Sequence, residues 1–181
     1  QASVALWQGG IYNFNNCTIA NYTGSFNQVP LAMNDYLETE DALIVSDLTA
    51  TFDNCIIYGF GNVSMALENR AGTEIEYRAK FNNCLLKLVD FSNQFRNNPL
   101  YPSTGNNPLL AAYTDCITAT SSTTNKPEFF NPQKNNLIIK PESVAVGKAN
   151  TATMVATDIL GFPRAAKPDL GAYVNQEFAE E

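Results

Sequence analysis

Histidine is absent from this chain, and its absence removes a block of chemistry at once. Ser–His–Asp and Cys–His arrangements, histidine-ligated zinc or iron, and imidazole acid–base catalysis are all excluded. Basic residues are scarce too: 11 Lys and Arg stand against 18 Asp and Glu, a net charge of −7. Phosphate-backbone binding needs an electropositive stripe, so nucleic acid is not an expected partner, and anionic membrane surfaces are disfavoured for the same reason. No apolar run reaches the ~18 residues that span a bilayer. The opening QASVALWQGG lacks a basic n-region ahead of a hydrophobic stretch, so any export signal is expected to have been removed or to lie outside these residues. The four cysteines form no C-x-x-C pair, and neither a metal nor a cofactor is expected.

What remains is an ordinary folded composition, 45% hydrophobic and 16% charged, enough for one sizeable core. Its organising feature is a phrase that recurs. Phe14-Asn15-Asn16-Cys17-Thr18-Ile19, Phe52-Asp53-Asn54-Cys55-Ile56-Ile57 and Phe81-Asn82-Asn83-Cys84-Leu85-Leu86 share the frame Phe-x-Asn-Cys-x-aliphatic. Their separations fall within the ~20–50-residue range of stacked repeats, with unequal loops between them. The flanking residues alternate with period two, the mark of a strand. In TEIEYRAKF, Ile75, Tyr77, Ala79 and Phe81 take one face; in DLTATF, Leu48, Ala50 and Phe52 do.

Strict alternation from an inward Phe would send Cys outward, yet Cys and the aliphatic residue two places later form a second inward series. A bend at Asn resets the parity, because Asn tolerates the left-handed conformation and bonds nearby backbone with its amide. Strands meeting at Asn corners and recurring at this period describe an all-β chain, a parallel β-helix of about four to five coils. Like positions then stack ~4.8 Å apart. Asn16, Asn54 and Asn83 are expected to form an amide ladder, and Cys17, Cys55 and Cys84 a column of buried free thiols in preference to disulfides.

Residues 1–140 are assigned to coils and 141–181 to a final winding, a C-terminal cap and a tail. The first coil spans 4–22; residues 23–46, with Pro30 and the pieces LAM and ALIV, read as a long excursion. Coil two follows at 47–72 and coil three at 73–90. FSNQFRNNPLYPSTGNNP reads as a surface loop. At Tyr113-Thr114-Asp115-Cys116-Ile117-Thr118 the phrase is degenerate, and the ladder is expected to end there. The first coil has no covering segment, which leaves an open edge for end-to-end association and points to a longer β-helix upstream.

FDNCIIYG, FNNCLLK, PEFFNP, NNLIIKPESVAVGKAN and TDILGFPRAAKPDLGAYV resemble the closing coils of secreted bacterial right-handed parallel β-helix proteins of the pectate-lyase-like superfamily, of the choice-of-anchor Q type. The most specific part is D-x-x-G-x-P-R followed by P-D-x-G-A-Y: Asp158, Gly161, Pro163, Arg164, Pro168, Asp169, Gly171, Ala172 and Tyr173. The chain departs from that pattern at Val144, where Pro is frequent, and at Val174, where an acid is usual. The resemblance implies a single-stranded right-handed β-helix exported to the periplasm, the cell surface or the medium. Enzymes of this fold that hydrolyse acidic polysaccharides are similar to one another in Asn-Thr-Asp, Asp-Asp and Gly-His-Gly motifs, none of which occurs here.

No catalytic residue is therefore assigned. Glu74 and Glu76 would stand ~7 Å apart on one strand face, within the ~6.5–9.5 Å of inverting glycosidases. Arg78 and Lys80 beside them favour both ionised forms, so a solvated charged face is the better reading. Asp158, Arg164 and Asp169, with Tyr173, are read as a structural cap pinned by charge-assisted hydrogen bonds. Sequons at Asn16, Asn21 and Asn62 are read as chance. Trp7, Tyr22, Tyr58, Phe60 and Tyr101 are the candidates for stacking on sugar rings. The expected function is a non-catalytic structural or glycan-recognition module with a polysaccharide or cell-surface glycan as partner. A polysaccharide lyase or glycoside hydrolase with catalytic residues upstream, and an adhesin, are the alternatives.

Overall fold

The computed structural model describes residues 2–22, 24, 28–70, 76–102 and 110–178. Among them there is no α-helix, and the regular structure is strand apart from a 3-10 turn at Pro132–Lys134. A first pass of chain runs through β1 (Ala2–Leu6), β2 (Gly10–Asn15) and β3 (Thr18–Asn21). A second opens with β4 (Val29–Asn34), detours into the antiparallel hairpin of β5 (Tyr36–Glu38) and β6 (Leu43–Val45), and resumes with β7 (Leu48–Asp53) and β8 (Ile56–Gly59). The third is β9 (Met65–Glu68), β10 (Tyr77–Asn82) and β11 (Leu85–Lys87); the fourth has β12 (Ala111–Thr114) and β13 (Ile117–Ala119). A closing antiparallel hairpin of β14 (Phe129–Asn131) and β15 (Asn136–Ile139) leads into a strandless segment.

Successive passes pair as three parallel sheets, ordered β1-β4-β9, β2-β7-β10-β12 and β3-β8-β11-β13. Register is one-to-one: Phe14 lies opposite Phe52, Phe52 opposite Phe81, and Phe81 opposite Tyr113. The four rings stack at centroid separations of 4.8, 4.9 and 4.9 Å, with planes parallel to within 6°. Complete burial of one such ring is worth ~1.5–3 kcal/mol, and its stacked contacts add to that.

The corner after each ring has the geometry the recurrent phrase calls for. Asn16, Asn54, Asn83 and Asp115 have φ of 50°, 56°, 50° and 52°. This left-handed turn brings the next residues round, so that Cys55, Ile57, Cys84 and Leu86 share one core with Phe52 and Phe81. From the second phrase on, the thiol lies within donor reach of the carbonyl of the aromatic residue one pass earlier: Cys55 of Phe14 O (3.6 Å), Cys84 of Phe52 O (3.3 Å) and Cys116 of Phe81 O (3.2 Å). All four cysteines are free; Cys55 and Cys84 are buried as expected, whereas Cys17, on the first pass, is only half-buried, as is Cys116. A small side chain with a weak donor fits this place, where a larger one would crowd the rung below.

The structure departs from the sequence expectations at several points. The piece LAM belongs to β4, where Leu31 and Met33 are buried, so the excursion shrinks to the β5–β6 hairpin. Pro30 is tolerated because it sits next to the first residue of its strand. The ladder persists through the fourth phrase: Tyr113 keeps the ring, Asp115 adopts the same turn, and Leu86 pairs with Thr118. Glu74 and Ile75 lie outside the described residues, as do the tip of the 91–108 loop at 103–108 and the end of the tail.

The amide ladder of Asn16, Asn54 and Asn83 is not found. Asn54 Nδ2 donates to Asn150 O and Thr153 Oγ1, both at 3.1 Å, and its Oδ1 accepts from Asn150 N at 2.6 Å. Asn16 Oδ1 accepts from Val155 N (3.1 Å), and its Nδ2 donates to Asp169 O (3.4 Å). These amides turn outward to irregular backbone that has more unmet hydrogen-bonding groups than another amide would offer. Residues 141–176 accordingly lie along the flank of the third sheet, against the first two passes, and do not form a lid over the last. Gly171 sits so close that a Cβ there would stand 2.6 Å from Thr18 Oγ1 and 2.7 Å from Ile56 Cδ1. The third sheet is thereby buried on both faces: Ile57 and Leu86 point into the main core, Ile56 and Leu85 into a second one with Phe129, Ile139, Ala145 and Leu170.

Asn54 combines the two demands, a left-handed turn and a bond to the flanking segment. Asn54→Gly keeps the turn and loses three hydrogen bonds, an expected cost of ~2–3 kcal/mol. Asn54→Ala adds the left-handed penalty of ~1–2 kcal/mol. Denaturant unfolding should rank wild type above Gly above Ala; equal losses for the two variants would contradict the turn requirement.

Candidate functional site

The aromatic candidates do not form one surface: Tyr22 and Tyr58 meet at the second core, whereas Tyr101 packs in the main one. Tyr58 and Tyr101 are buried, and Tyr22 is half-buried with its ring edge-on to Phe129 at 6.0 Å. Tyr58 packs in the second core. The Tyr101 hydroxyl accepts from Leu67 N (3.0 Å) and donates to Met65 O (3.3 Å), so it completes the outer edge of β9. These three are corrected from sugar platforms to packing residues, because the flanking segment and the 91–102 loop cover surfaces that sequence alone left bare. Trp7, 68% exposed, and Phe60, 39% exposed, do face solvent.

Lys87 is buried as well. Its ammonium donates to Gly59 O (3.0 Å) and Phe60 O (3.3 Å) and lies 5.2 Å from the Tyr58 ring, while burial lowers its pKa. It pins the turn after β8. The C-terminal constellation has a similar role. Asp158 accepts from the backbone N–H groups of Leu160, Phe162 and Val174, and Asp169 from those of Gly147 and Asn175 and from the Asn175 amide. Arg164 donates to the carbonyls of Asp169 (3.1 Å) and Gly171 (2.8 Å), and burial lowers its pKa. All three are buried, so they hold irregular backbone by charge-assisted bonds, with Tyr173 half-buried beside them in sequence. A shallow cleft of about 360 Å³ lies between this segment and the first phrase, lined by Cys17, Ile159 and Arg164 among others.

A second cleft among the described residues has a more useful chemical inventory. About 420 Å³ in volume, it lies where the start of the 91–102 loop passes the ends of the third and fourth passes. Leu88 and Pro102 give it apolar patches; Asn93, Thr118 and Thr120 give it amide and hydroxyl groups; Asp90 and Arg96 contribute one charge of each sign. The Asp90 carboxylate is already engaged, since its two oxygens accept from Gln94 N and Phe95 N at 3.0 Å each and so shape the turn that carries Arg96. Among the described residues Arg96 makes no ion pair. Its guanidinium is the main uncommitted donor set in the cleft. Sequence reading placed this loop on the surface but gave no reason to pair it with Thr118 and Thr120, which come from the fourth phrase.

Glu76 pairs with Arg78, in keeping with a solvated charged face. Among the described residues no group of three or more Cys, Asp or Glu is placed to hold a metal ion, and no helix is long and apolar enough to cross a membrane. No known protein family, curated protein or solved structure matches the chain.

Burial pushes the Tyr58 phenol up to about 12, and those of Tyr22, Tyr77, Tyr101 and Tyr113 above the ordinary 10.0. A phenol raised in the folded state contributes stability below the unfolded value, and that contribution is lost as pH rises through 10.0 toward the folded values. Stability should thus fall steeply above pH 10.0, with most phenolate absorbance appearing together with loss of structure. Independent titration of all the tyrosines near the ordinary value, with the fold intact, would contradict the assigned burial.

Proposed function

We propose that this chain is a right-handed parallel β-helix acting outside a bacterial cell as a non-catalytic structural module with a glycan-recognition cleft. The winding is supported by the cyclic order in which the chain visits three parallel sheets, each pass adding one in-register neighbour to each strand. The likeness of residues 158–174 to the closing coils of exported β-helical proteins supports the hand and the location.

The observation that carries the recognition reading is the cleft at Asp90, Arg96, Thr118 and Thr120. Its volume lies within the ~300–1,000 Å³ typical of small-ligand sites. Hydroxyls, an amide and an uncommitted guanidinium beside apolar patches match a sugar, which presents hydroxyl edges and C–H faces. A single carboxylate, already engaged by backbone N–H groups, argues against hydrolysis, which uses a pair flanking the scissile bond. Arg96 favours sugars that carry a carboxylate, through the two-pronged pairing that guanidinium offers.

The test is a glycan array probed with wild type, Arg96→Ala, Thr120→Ala and Trp7→Ala. Binding should weaken about tenfold in the first two variants, the loss of one charge-assisted bond, and stay unchanged in the third. Loss on Trp7→Ala alone would move the site to the exposed aromatic. Absence of binding across a broad panel would overturn recognition and leave the structural reading.

A further inference from the structure

The recurrent phrase leaves four thiols in one line along the stack. Backbone bonds fix the register at each step: Ile56 N donates to Cys17 O (2.9 Å), Leu85 N to Cys55 O (2.9 Å) and Ile117 N to Cys84 O (2.8 Å). From the second phrase on, the thiols also lean back toward the pass before, Cys84 to Phe52 O and Cys116 to Phe81 O. The side chains of Cys84 and Cys116 therefore meet. Apolar filling accounts for a small side chain at each place, but not for sulfur against sulfur.

Cys84 is completely buried, whereas Cys116 is half-buried on the fourth pass. Among the described residues no further strand extends the second or third sheet beyond that pass, so a solute reaches the column at Cys116. The Cys84 thiol held against it lowers the pKa of Cys116, and burial raises that of Cys84. The pair thus has an accessible, more acidic member and a buried partner beside it.

The spacing of the passes selects the chemistry. The Phe81 and Tyr113 rings of the same two passes stand 4.9 Å apart. A disulfide brings its sulfurs to ~2.05 Å and its Cβ atoms to ~3.5–4.5 Å, which would draw the two passes together against their stacked rings. Two metal–thiolate bonds of ~2.3 Å placed in line span ~4.6 Å, close to the spacing as it stands. Zinc takes four ligands in a tetrahedron, and among the described residues no three Cys, Asp or Glu converge to begin one. A soft monovalent ion bonded to two sulfurs in line needs no third ligand.

We infer that the Cys84–Cys116 pair is a binding site for a soft monovalent metal ion of the Cu+ class, held in line between two thiolates. Coordination deprotonates both thiols, so two protons leave to solvent as the ion enters, and no electron is transferred. The site rests on the stacking of the third and fourth passes and not on the cleft at Arg96, so failure of glycan binding leaves it intact.

Anaerobic titration of the whole chain with Cu+ tests it, in Cys17→Ala so that Cys116 is the remaining half-buried thiol. One ion per chain should bind, with two sulfur neighbours in X-ray absorption, and Ag+ should compete for it where Zn2+ does not. Adding Cys116→Ser should weaken binding about a hundredfold or more, since outer partners of a metal ligand are alone worth ~10–100-fold. Cys84→Ala should do the same, and Cys116→Ser carries the comparison if circular dichroism shows the buried change to unfold the chain. Several results would overturn the paired site: no binding by the folded protein, displacement by Zn2+, or one sulfur neighbour or more than two. Equal affinity in Cys116→Ser would also overturn it, as adventitious uptake by another thiol. Wild type without β structure would instead overturn the stack on which the site rests.

Discussion

A single left-handed residue in each pass governs this molecule. With φ near +50° at Asn16, Asn54, Asn83 and Asp115, the chain turns between the second and third sheets within two residues, and the alternation of side chains restarts on the far side. Without that reset, an inward Phe would force the following Cys and Ile or Leu outward, and the three sheets would have no common interior. The Phe column, the thiol column and the aliphatic rows are consequences of the same corner. Asn and Asp occupy it because they tolerate the left-handed region at lower cost than other side chains with a Cβ.

The same corners recruit the end of the chain. Having turned, the amides of Asn16 and Asn54 face outward, where they bond Asn150, Thr153, Val155 and Asp169. The flanking segment has little regular structure and would leave many peptide groups unmatched. It is held by these amides and by the buried set of Asp158, Arg164 and Asp169. Its return is what makes β8 and β11 buried along their whole length. A parallel sheet covered on both faces reads as a continuous apolar run, as in CIIY and CLLK.

Much of this was legible in the residues. The recurrent phrase contained the strands, the corner and the free thiols, because each is a local property of a few side chains. The strand at Val29–Asn34 was obscured by Pro30 and by the hairpin that follows it. The flank and the loop cleft were not legible, since they depend on which distant segment returns to which face, and nothing in Arg96 or Thr120 alone marks them as neighbours. Tyr58 and Tyr101 were misjudged for the same reason: an aromatic near a turn looks exposed until the covering chain is known. The Asp158–Arg164–Asp169 set was expected to pin backbone; its carboxylates accept from backbone N–H groups, and its guanidinium donates to carbonyls and not to the two carboxylates.

The central claim is that successive phrases lie directly over one another, with Phe52 against Phe81 at 4.9 Å. A double-mutant cycle of Phe52→Leu and Phe81→Leu in denaturant unfolding measures that contact itself. The account predicts a coupling of ~0.5–1.5 kcal/mol between the two rings. Strict additivity, to within ~0.3 kcal/mol, would mean the rings do not touch and would contradict it.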